Sequence, residues 1–368
     1  MLLSIALILL VGMSMGWICR KIKLPGLLGM LITGIVLGPY VLNMLDMKLL
    51  GMSADLRKIA LIIILTRAGL GLDLASLKKI GRPAVLMCFV PATFELAGML
   101  LLAPRLMGMS LLEAAVMGAV LAAVSPAVVV PRMVKLMEEG YGVKEGIPQL
   151  ILAGASVDDV YVIVLFSTFS GMMQGEGASV IRFVNIPVSI ILGMIIGLTI
   201  GILLAFYFQK VHIRDTAKVL IILGISFLLA AAEDSLTTPV TFSALIAIMF
   251  IGVGLQRKRE AVAKRLAVKY GKLWVAAEVF LFVLVGATVN IGYLGRVGVR
   301  ALLMIAGALL FRMAGATVST VSPHAKLALG FACGDTVLTV AVLAIVLTAP
   351  LGAFAIDLSY RKLLTKSK

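Results

Sequence analysis

Apolar residues recur along this chain in long runs instead of alternating with polar positions. A run of about 20 apolar residues is long enough to cross the hydrocarbon core of a bilayer. The pattern predicts twelve such spans, with residues 326–334 left over as half a span. The spans lie at 1–19, 24–44, 57–72, 83–104, 109–131, 148–173, 184–208, 216–232, 237–255, 273–289, 298–317 and 336–358. The longest polar stretch, 256–272, is too short to fold alone, so we predict one all-α polytopic membrane domain over 1–368.

Composition and charge agree with a membrane protein. The chain is 61% hydrophobic and its mean hydropathy is +1.13. A net charge of +15 would suggest nucleic acid in a soluble protein, but loops after odd-numbered spans hold twenty lysines and arginines and the others hold seven. Because cytoplasmic loops are enriched in these residues, we predict the N-terminus outside and no nucleic-acid partner. Met1–Cys19 lacks the basic start and cleavage site of a signal peptide and is predicted to be the first span.

Two adjacent aspartates, Asp158 and Asp159, lie inside the apolar span 148–173. A carboxylate at bilayer depth costs about 2.5 to 3.5 kcal/mol on insertion scales, so the pair requires partners, water or a bound cation. Consecutive helix positions point about 100° apart, so one aspartate faces the ion path and the other flanks it. The pair predicts transport of protons or metal cations.

Prolines interrupt the end of the fifth predicted span. Pro126 and Pro131 stand five residues apart and remove helix hydrogen bonds at membrane depth. Backbone freed in this way is tolerated only where it is buried in protein or lines a water-filled cavity, and interrupted helices bind ions in transporters. The predicted lining of the site is Ser125, Pro126, Ala127, Val128 and Ser156.

Two further ionisable residues, Glu95 and Arg312, lie in separate apolar spans. Opposite charges buried in this way neutralise each other most economically, so they are predicted to pair, with a structural bridge as the alternative to a role in transport. Arg67 precedes a run of small residues, 68–73, that permits close helix contact. The three cysteines are scattered without metal or redox spacing and are interpreted as packing residues.

Six motifs follow one another along the chain, at residues 24–30, 67–73, 123–131, 140–143, the pair Asp158–Asp159, and 338–341. Together they resemble the NHA type of sodium/proton antiporters, in the second branch of the monovalent cation/proton antiporters. The resemblance implies a dimer domain and an ion-binding core domain, built from inverted repeats with crossing broken helices. We expect core elements near 57–173 and 273–350 and dimer or scaffold elements near 1–44 and 184–255.

By position, the resemblance implies that Asp159 is the ion and proton carrier and that Asp158 is its neighbour. It also implies a helix break over 125–131 and a buried acid and base at Glu95 and Arg312. Related antiporters often have a lysine at the Arg312 position. An arginine does not release a proton at working pH, which favours a fixed charge here.

One departure from the family lies near the C-terminal end. The family has a Pro-Lys-Ala-Thr-Val-Gln segment that breaks the second crossing helix, whereas here Cys333–Gly334 leads directly into residues 335–340. The charges independently indicate a departure here, so that either residues 326–348 pack unusually or a piece of about thirty residues is missing. Twelve spans leave the C-terminus outside, yet residues 361–368 carry four positive charges.

The predicted function is exchange of Na⁺ or Li⁺ for H⁺ by alternating access, with no enzymatic activity and no cofactor beyond the transported ions. The expected setting is a homodimer in the lipid bilayer of a bacterial inner membrane. Two alternatives remain open. One is a sodium-coupled symporter of an organic anion on a similar fold, and the other is an inactive relic that lacks the second helix break. An intramembrane aspartyl protease is disfavoured, because its two aspartates must lie on different helices.

Overall fold

The computed structural model describes residues 1–22, 24, 26–72, 81–122, 126–144, 146–173, 180–236, 242–289 and 291–320. These residues form fourteen helices joined by turns, and none of them lies in a β-strand. The helices are α1 (Leu2–Lys21), α2 (Gly26–Leu37), α3 (Met47–Gly51), α4 (Ser53–Gly71), α5 (Arg82–Met87), α6 (Val90–Met107), α7 (Leu111–Leu121), α8 (Pro126–Glu139), α9 (Ile147–Met173), α10 (Val180–Lys210), α11 (Asp215–Ser235), α12 (Ala244–Lys258), α13 (Glu260–Ala287) and α14 (Ile291–Thr320).

Five of the described helical segments are long and apolar enough to cross a membrane. They are Leu2–Lys21, Val85–Met107, Pro187–Lys210, Asp215–Ser235 and Glu260–Ala287. Shorter apolar helices cover Gly26–Leu37, Leu111–Leu121 and Leu303–Ser319. The predicted twelfth span, 336–358, and the leftover half span lie outside the described residues.

The structure divides two of the predicted spans. Span 83–104 is interrupted at Cys88–Phe89, between α5 and α6, and span 109–131 is interrupted between α7 and α8. The prolines predicted a break over 125–131, but the interruption precedes that segment, because Pro126 begins α8 and the helix continues through Pro131. At the start of a helix the missing N–H of Pro126 costs nothing. However, α8 continues to Glu139, through residues that the hydrophobic pattern assigned to a loop.

The polar stretch 256–272 is also helical, which differs from the loop predicted there. Helix α12 continues to Lys258, and α13 begins at Glu260. Val262, Leu266 and Tyr270 are buried and recur every four residues, so they form one apolar face while the charged residues take the other. The charged residues 260–272 therefore belong to an amphipathic N-terminal extension of the helix that contains the tenth predicted span.

The described helices pack in two groups. In one group α2 packs against α1 and α13, α4 packs against α12 and α13, and α12 packs against α10. In the other group α6 packs against α14 and α7, and α9 packs against α5 and α7. Helix α8 contacts both groups, through α4 and α9. Thus α4 and α13, which we expected among the core elements, contact helices expected in the scaffold, and the domain division stays a prediction.

Glycines allow the closest helix contacts. A Cβ atom at Gly69 of α4 would lie 1.9 Å from the carbonyl oxygen of Met249 on α12, and one at Gly252 would lie 2.5 Å from the Leu70 nitrogen. The close helix contact predicted for the small residues of 68–73 is confirmed at Gly69. These backbones approach to a distance at which any side chain would overlap a neighbouring main chain.

Helices α6 and α14 are held together by a second set of small residues. A Cβ atom at Gly98 would lie 2.7 Å from the Phe311 ring, and one at Gly315 would lie 2.8 Å from Phe94 Cβ. Each ring therefore occupies the space that its facing glycine leaves empty. This register brings α6 and α14 close together near Glu95, the acidic member of the predicted ion pair.

The turn between α6 and α7 follows from its local sequence. Gly108 has a φ of 68° and its N–H donates to the Pro104 carbonyl, which ends α6. Ser110 then caps α7, because its side chain accepts from the Glu113 N–H while the Glu113 carboxylate accepts from the Ser110 N–H at 2.8 Å. The two helices consequently run antiparallel, and the far end of α7 returns towards Glu95.

Candidate functional site

Three ionisable side chains meet between α6, α9 and α14. Glu95 is 3% exposed, Asp158 is 1% exposed and Arg312 is 4% exposed. Charged side chains this deeply buried are stable only when they are paired and hydrogen-bonded. The group therefore requires internal compensation.

Arg312 supplies that compensation. Its Nη1 donates to Glu95 Oε2 at 2.6 Å and to the Ala122 carbonyl oxygen at 2.7 Å. Its Nη2 donates to Asp158 Oδ2. The rigid guanidinium fork reaches three acceptors on three helices, which a lysine ammonium would match less well. We call Glu95, Asp158 and Arg312 the buried charge network.

The contact with Ala122 places a positive charge at a helix end. Ala122 is the C-cap of α7, directly before the interruption that precedes α8. The last carbonyls of a helix carry a partial negative charge and lack partners within the helix. Arg312 thus satisfies one carbonyl at the α7 end and ties the interruption to the buried charge network.

Asp158 has one oxygen left over. Its Oδ1 is buried and has no hydrogen-bond partner in the part of the chain that the structure describes. An ionised carboxylate accepts at both oxygens, so Oδ1 is an acceptor pointing into the protein interior. Such an atom can hold a cation or a proton.

Several predicted site residues are not described in full. Ser125 lies outside the described residues. The backbones of Pro126, Ala127 and Val128 begin α8, and those of Ser156 and Asp159 lie in α9, while their side chains lie outside what the structure describes. The structure therefore brings together Glu95, Arg312 and Asp158, and the expected roles of the others stay predictions.

The charges in the sequence predict the pairing of Glu95 with Arg312, but they do not indicate that Asp158 belongs to the same network. The spacing of residues within one helix cannot show which partner on another helix they meet. Glu278, an acid in the predicted span 273–289, is not among the predicted site residues, yet its carboxylate lies within electrostatic range of Arg20, Arg132 and Arg67. The available signal was the same as for Glu95, a single acid in an apolar run.

Helices long enough to cross a bilayer, together with a buried network of charges beside an interrupted helix, define a polytopic membrane transporter for cations. More narrowly, the chain belongs to the sodium/hydrogen exchanger family, since the model of transmembrane sodium/hydrogen exchangers matches residues 5–361. The chain is therefore an integral membrane protein of a transporter family.

Known relatives support the same family. Human sodium/hydrogen exchanger 9B2 is 32% identical over 387 residues, which cover 93% of this chain and 70% of that protein. The mouse 9B2 protein is 33% identical over 388 residues, which cover 94% of this chain and 69% of that protein. Human sodium/hydrogen exchanger 9B1 is 30% identical over 390 residues, covering 93% and 73%. The resemblance to NHA-type antiporters is thereby confirmed.

Solved structures support the fold. The sodium proton antiporter MjNhaP1 from Methanocaldococcus jannaschii at pH 8 matches with a TM-score of 0.77 and 18% sequence identity. The match covers 97% of this chain and 92% of that one. At this identity the likeness carries the fold alone, and it confirms the all-α antiporter fold predicted from the sequence.

Proposed function

We propose that this chain exchanges Na⁺ or Li⁺ for H⁺ across a membrane at a site formed by Asp158 and Asp159. The observation that carries the proposal is the state of the Asp158 carboxylate, which is buried, held at Oδ2 by Arg312 and unpartnered at Oδ1 among the described residues. Arg312 fixes the position of Asp158 and leaves one oxygen for an ion. The sodium/hydrogen exchanger family provides the class of ion.

Competition between a cation and a proton for the same carboxylates gives antiport without covalent chemistry. A deprotonated site holds the cation, and protonation from the other side of the membrane releases it. The Asp158 carboxylate is already hydrogen-bonded to the fixed positive charge of Arg312. Its negative charge is therefore partly neutralised, and it attracts a transported cation less strongly than an unpaired carboxylate would. We therefore assign the exchange of ions to Asp159, with Asp158 contributing one oxygen.

The proposal includes alternating access between two helix groups, a homodimer, and a bacterial inner membrane with the N-terminus outside. The described interruption between α7 and α8 supports alternating access, because discontinuous helices carry the sites of many secondary transporters. The distribution of twenty positive residues against seven supports the orientation.

A second candidate is an exchanger-like chain with impaired transport. The alignment with human 9B2 spans 387 positions, more than the 368 residues of this chain. The relative therefore carries residues with no counterpart here. This agrees with, but does not locate, the segment predicted to be absent after Gly334.

Proteoliposomes test the proposal directly. An inward sodium gradient with no organic solute should drive protons out of vesicles that contain the chain, as read by a trapped pH dye. The double change Asp158→Asn and Asp159→Asn should remove this flux, whereas Asp55→Asn, at an exposed aspartate in the first turn of α4, should keep it. Proton movement that requires an added organic anion would instead indicate the symporter.

A further inference from the structure

The interruption between α5 and α6 is not explained by the buried charge network. Two turn-like bonds close α5, from the Cys88 N–H to the Val85 carbonyl and from the Phe89 N–H to the Leu86 carbonyl. In an uninterrupted helix the Met87 carbonyl would accept from the N–H of residue 91, four positions later. Residue 91 is a proline and has no N–H. Among the described residues no backbone N–H donates to the Met87 carbonyl across this interruption.

The freed carbonyl lies against the helix that carries the aspartates. The Met87 oxygen lies 3.4 Å from the position that a Cβ atom would take at Gly154 of α9, and Met87 Cβ lies 3.3 Å from it. Side chains on a helix lean towards its N-terminus, so Asp158 covers the turn that contains Gly154. The absence of a side chain at Gly154 lets the Met87 backbone pack directly on α9.

Cys88 lies at the same interruption. Its side chain is 7% exposed, and the Asp158 carboxylate is within electrostatic range of its thiol. Helix α5 packs on both α9 and α14, which carry Asp158 and Arg312. The interruption therefore lies against the helix that carries the aspartate, and α5 itself contributes no side chain to the buried charge network.

We propose that the α5–α6 interruption forms a second wall of the cation site, in which the Met87 carbonyl oxygen joins Asp158 Oδ1 as a ligand and the Cys88 thiol lies beside them. The inference rests on the proposed cation site at Asp158. Carbonyl and carboxylate oxygens bind hard cations such as Na⁺ and Li⁺, and a neighbouring thiol adds affinity for a soft monovalent cation such as Ag⁺. The site is thereby predicted to accept Ag⁺ in competition with Li⁺.

Ag⁺ binding tests the site without relying on transport. Two full-length chains would each keep one described cysteine, Cys88 or Cys19, with the other cysteines, Cys333 included, replaced by serine. Calorimetry in nitrate buffer should show that Asp158→Asn weakens Ag⁺ binding to the Cys88 chain at least tenfold, since losing even a group that only supports a metal ligand costs about 10- to 100-fold in affinity. Lithium nitrate should weaken the same binding increasingly as its concentration rises. Binding to the Cys19 chain, at the end of α1, should respond to neither change.

A proline substitution tests the carbonyl. Pro91→Ala restores an N–H that can bond to the Met87 oxygen, and it should raise the KM for Na⁺ several-fold with little change in kcat. Pro104→Ala, in the last turn of the same helix, is the matched control and should leave KM unchanged. Ag⁺ binding at Cys88 that is indifferent to both Li⁺ and Asp158→Asn would overturn the proposal. If the unmodified chain shows no sodium-driven proton flux but its Ag⁺ binding still responds to Li⁺ and to Asp158→Asn, the result counts against the proposed function and not against the site.

Discussion

The Arg312 guanidinium contacts two carboxylates and one carbonyl. Removing Arg312 and removing one of its partners should therefore have unequal effects on stability. If Glu95 is removed, Arg312 still has Asp158 and the Ala122 carbonyl. If Arg312 is removed, two carboxylates remain buried without a counter-charge. Breaking a buried pair by removing one partner costs about 3 to 5 kcal/mol, and the loss of Arg312 should therefore be the more damaging of the two.

This asymmetry predicts a specific thermodynamic cycle. Glu95→Ala and Arg312→Ala should each lower thermal stability in detergent, with the larger loss for Arg312→Ala. The double variant should cost less than the sum of the two, because the pair interaction is lost only once. The exposed pair of Lys58 and Asp234, at 2.6 Å, is the control cycle and should show a coupling below about 1 kcal/mol. Strict additivity for Glu95 and Arg312 would contradict the pairing.

The two aspartates should differ in their single variants. Because only one of two adjacent helix positions faces the ion path squarely, Asp159→Asn should abolish sodium-driven proton flux. Asp158→Asn should reduce the flux and raise the KM for Na⁺. The measurement is initial proton flux against Na⁺ concentration in proteoliposomes, with protein content matched between preparations. Flux from Asp159→Asn equal to that of the parent would refute the assignment.

At the scale of helices, the spacing of glycines decides how closely elements approach. A Cβ atom at Gly69 would meet the Met249 backbone oxygen at 1.9 Å, whereas one at Gly71, two residues further along α4, meets nothing within 4 Å. A backbone atom in a packed helix cannot move aside as a flexible side chain can. The two glycines therefore provide a contrast within one helix.

Gly69→Ala should destabilise the protein and Gly71→Ala should not. Overpacking a well-packed contact costs about 1 to 3 kcal/mol, while replacing an unconstrained helical glycine with alanine is neutral or favourable by up to about 1 kcal/mol. Thermal unfolding of both variants in detergent, followed by intrinsic fluorescence, measures the difference. Equal stability of the two variants would show that α4 and α12 are not in backbone contact.

The hydrophobic pattern predicts the approximate position of most described helices, because lipid imposes a length and an apolar composition on every spanning helix. It also indicates the interruption at Pro126, since proline acts on the local backbone. It does not indicate the break at Cys88–Phe89, because hydropathy is continuous across it. Likewise the helix over 260–272 is missed, because averaging over its charges hides the buried stripe of Val262, Leu266 and Tyr270.

The candidate site was predictable in its components and not in its connections. Asp158, Glu95 and Arg312 are each conspicuous as ionisable residues in apolar runs. Their shared contact depends on the register of α6 against α14, set by Gly98 and Gly315, which is tertiary information. The same limit applies to Met87, whose carbonyl carries no signal in the sequence except the proline four residues later.

At the scale of the whole molecule, the two helix groups meet through α9, which contacts α10, α12 and α4, and through α8, which follows the interruption at the site and packs on α4 and α9. A change in the tilt of one group against the other therefore acts on the α7–α8 interruption. Alternating access on such folds uses two discontinuous helices that present opposite ends to one site. Within the described residues, the interruption between α7 and α8 corresponds to the first predicted crossing helix. The break of the second crossing helix is expected near residue 334, which lies outside the described residues.

The last prediction concerns that second crossing helix. If the segment after Gly334 is absent, the chain should exchange Na⁺ for H⁺ poorly although its aspartates are intact, because only one half-helix pair frames the site. The basic tail at 361–368 should then lie outside, against the usual bias. Inserting a Pro-Lys-Ala-Thr-Val-Gln segment and a loop after Gly334 should raise exchange and return the tail to the cytoplasm.

Exchange in proteoliposomes and a C-terminal reporter active only in the cytoplasm measure the two effects together. The control is an insert of the same length and composition in scrambled order, which restores the length but not the proline and lysine positions. Higher exchange from the ordered insert alone would show that a helix break, and not added length, is what the chain lacks. Robust exchange by the unrestored chain with its tail in the cytoplasm would instead mean that residues 326–358 already form both remaining spans.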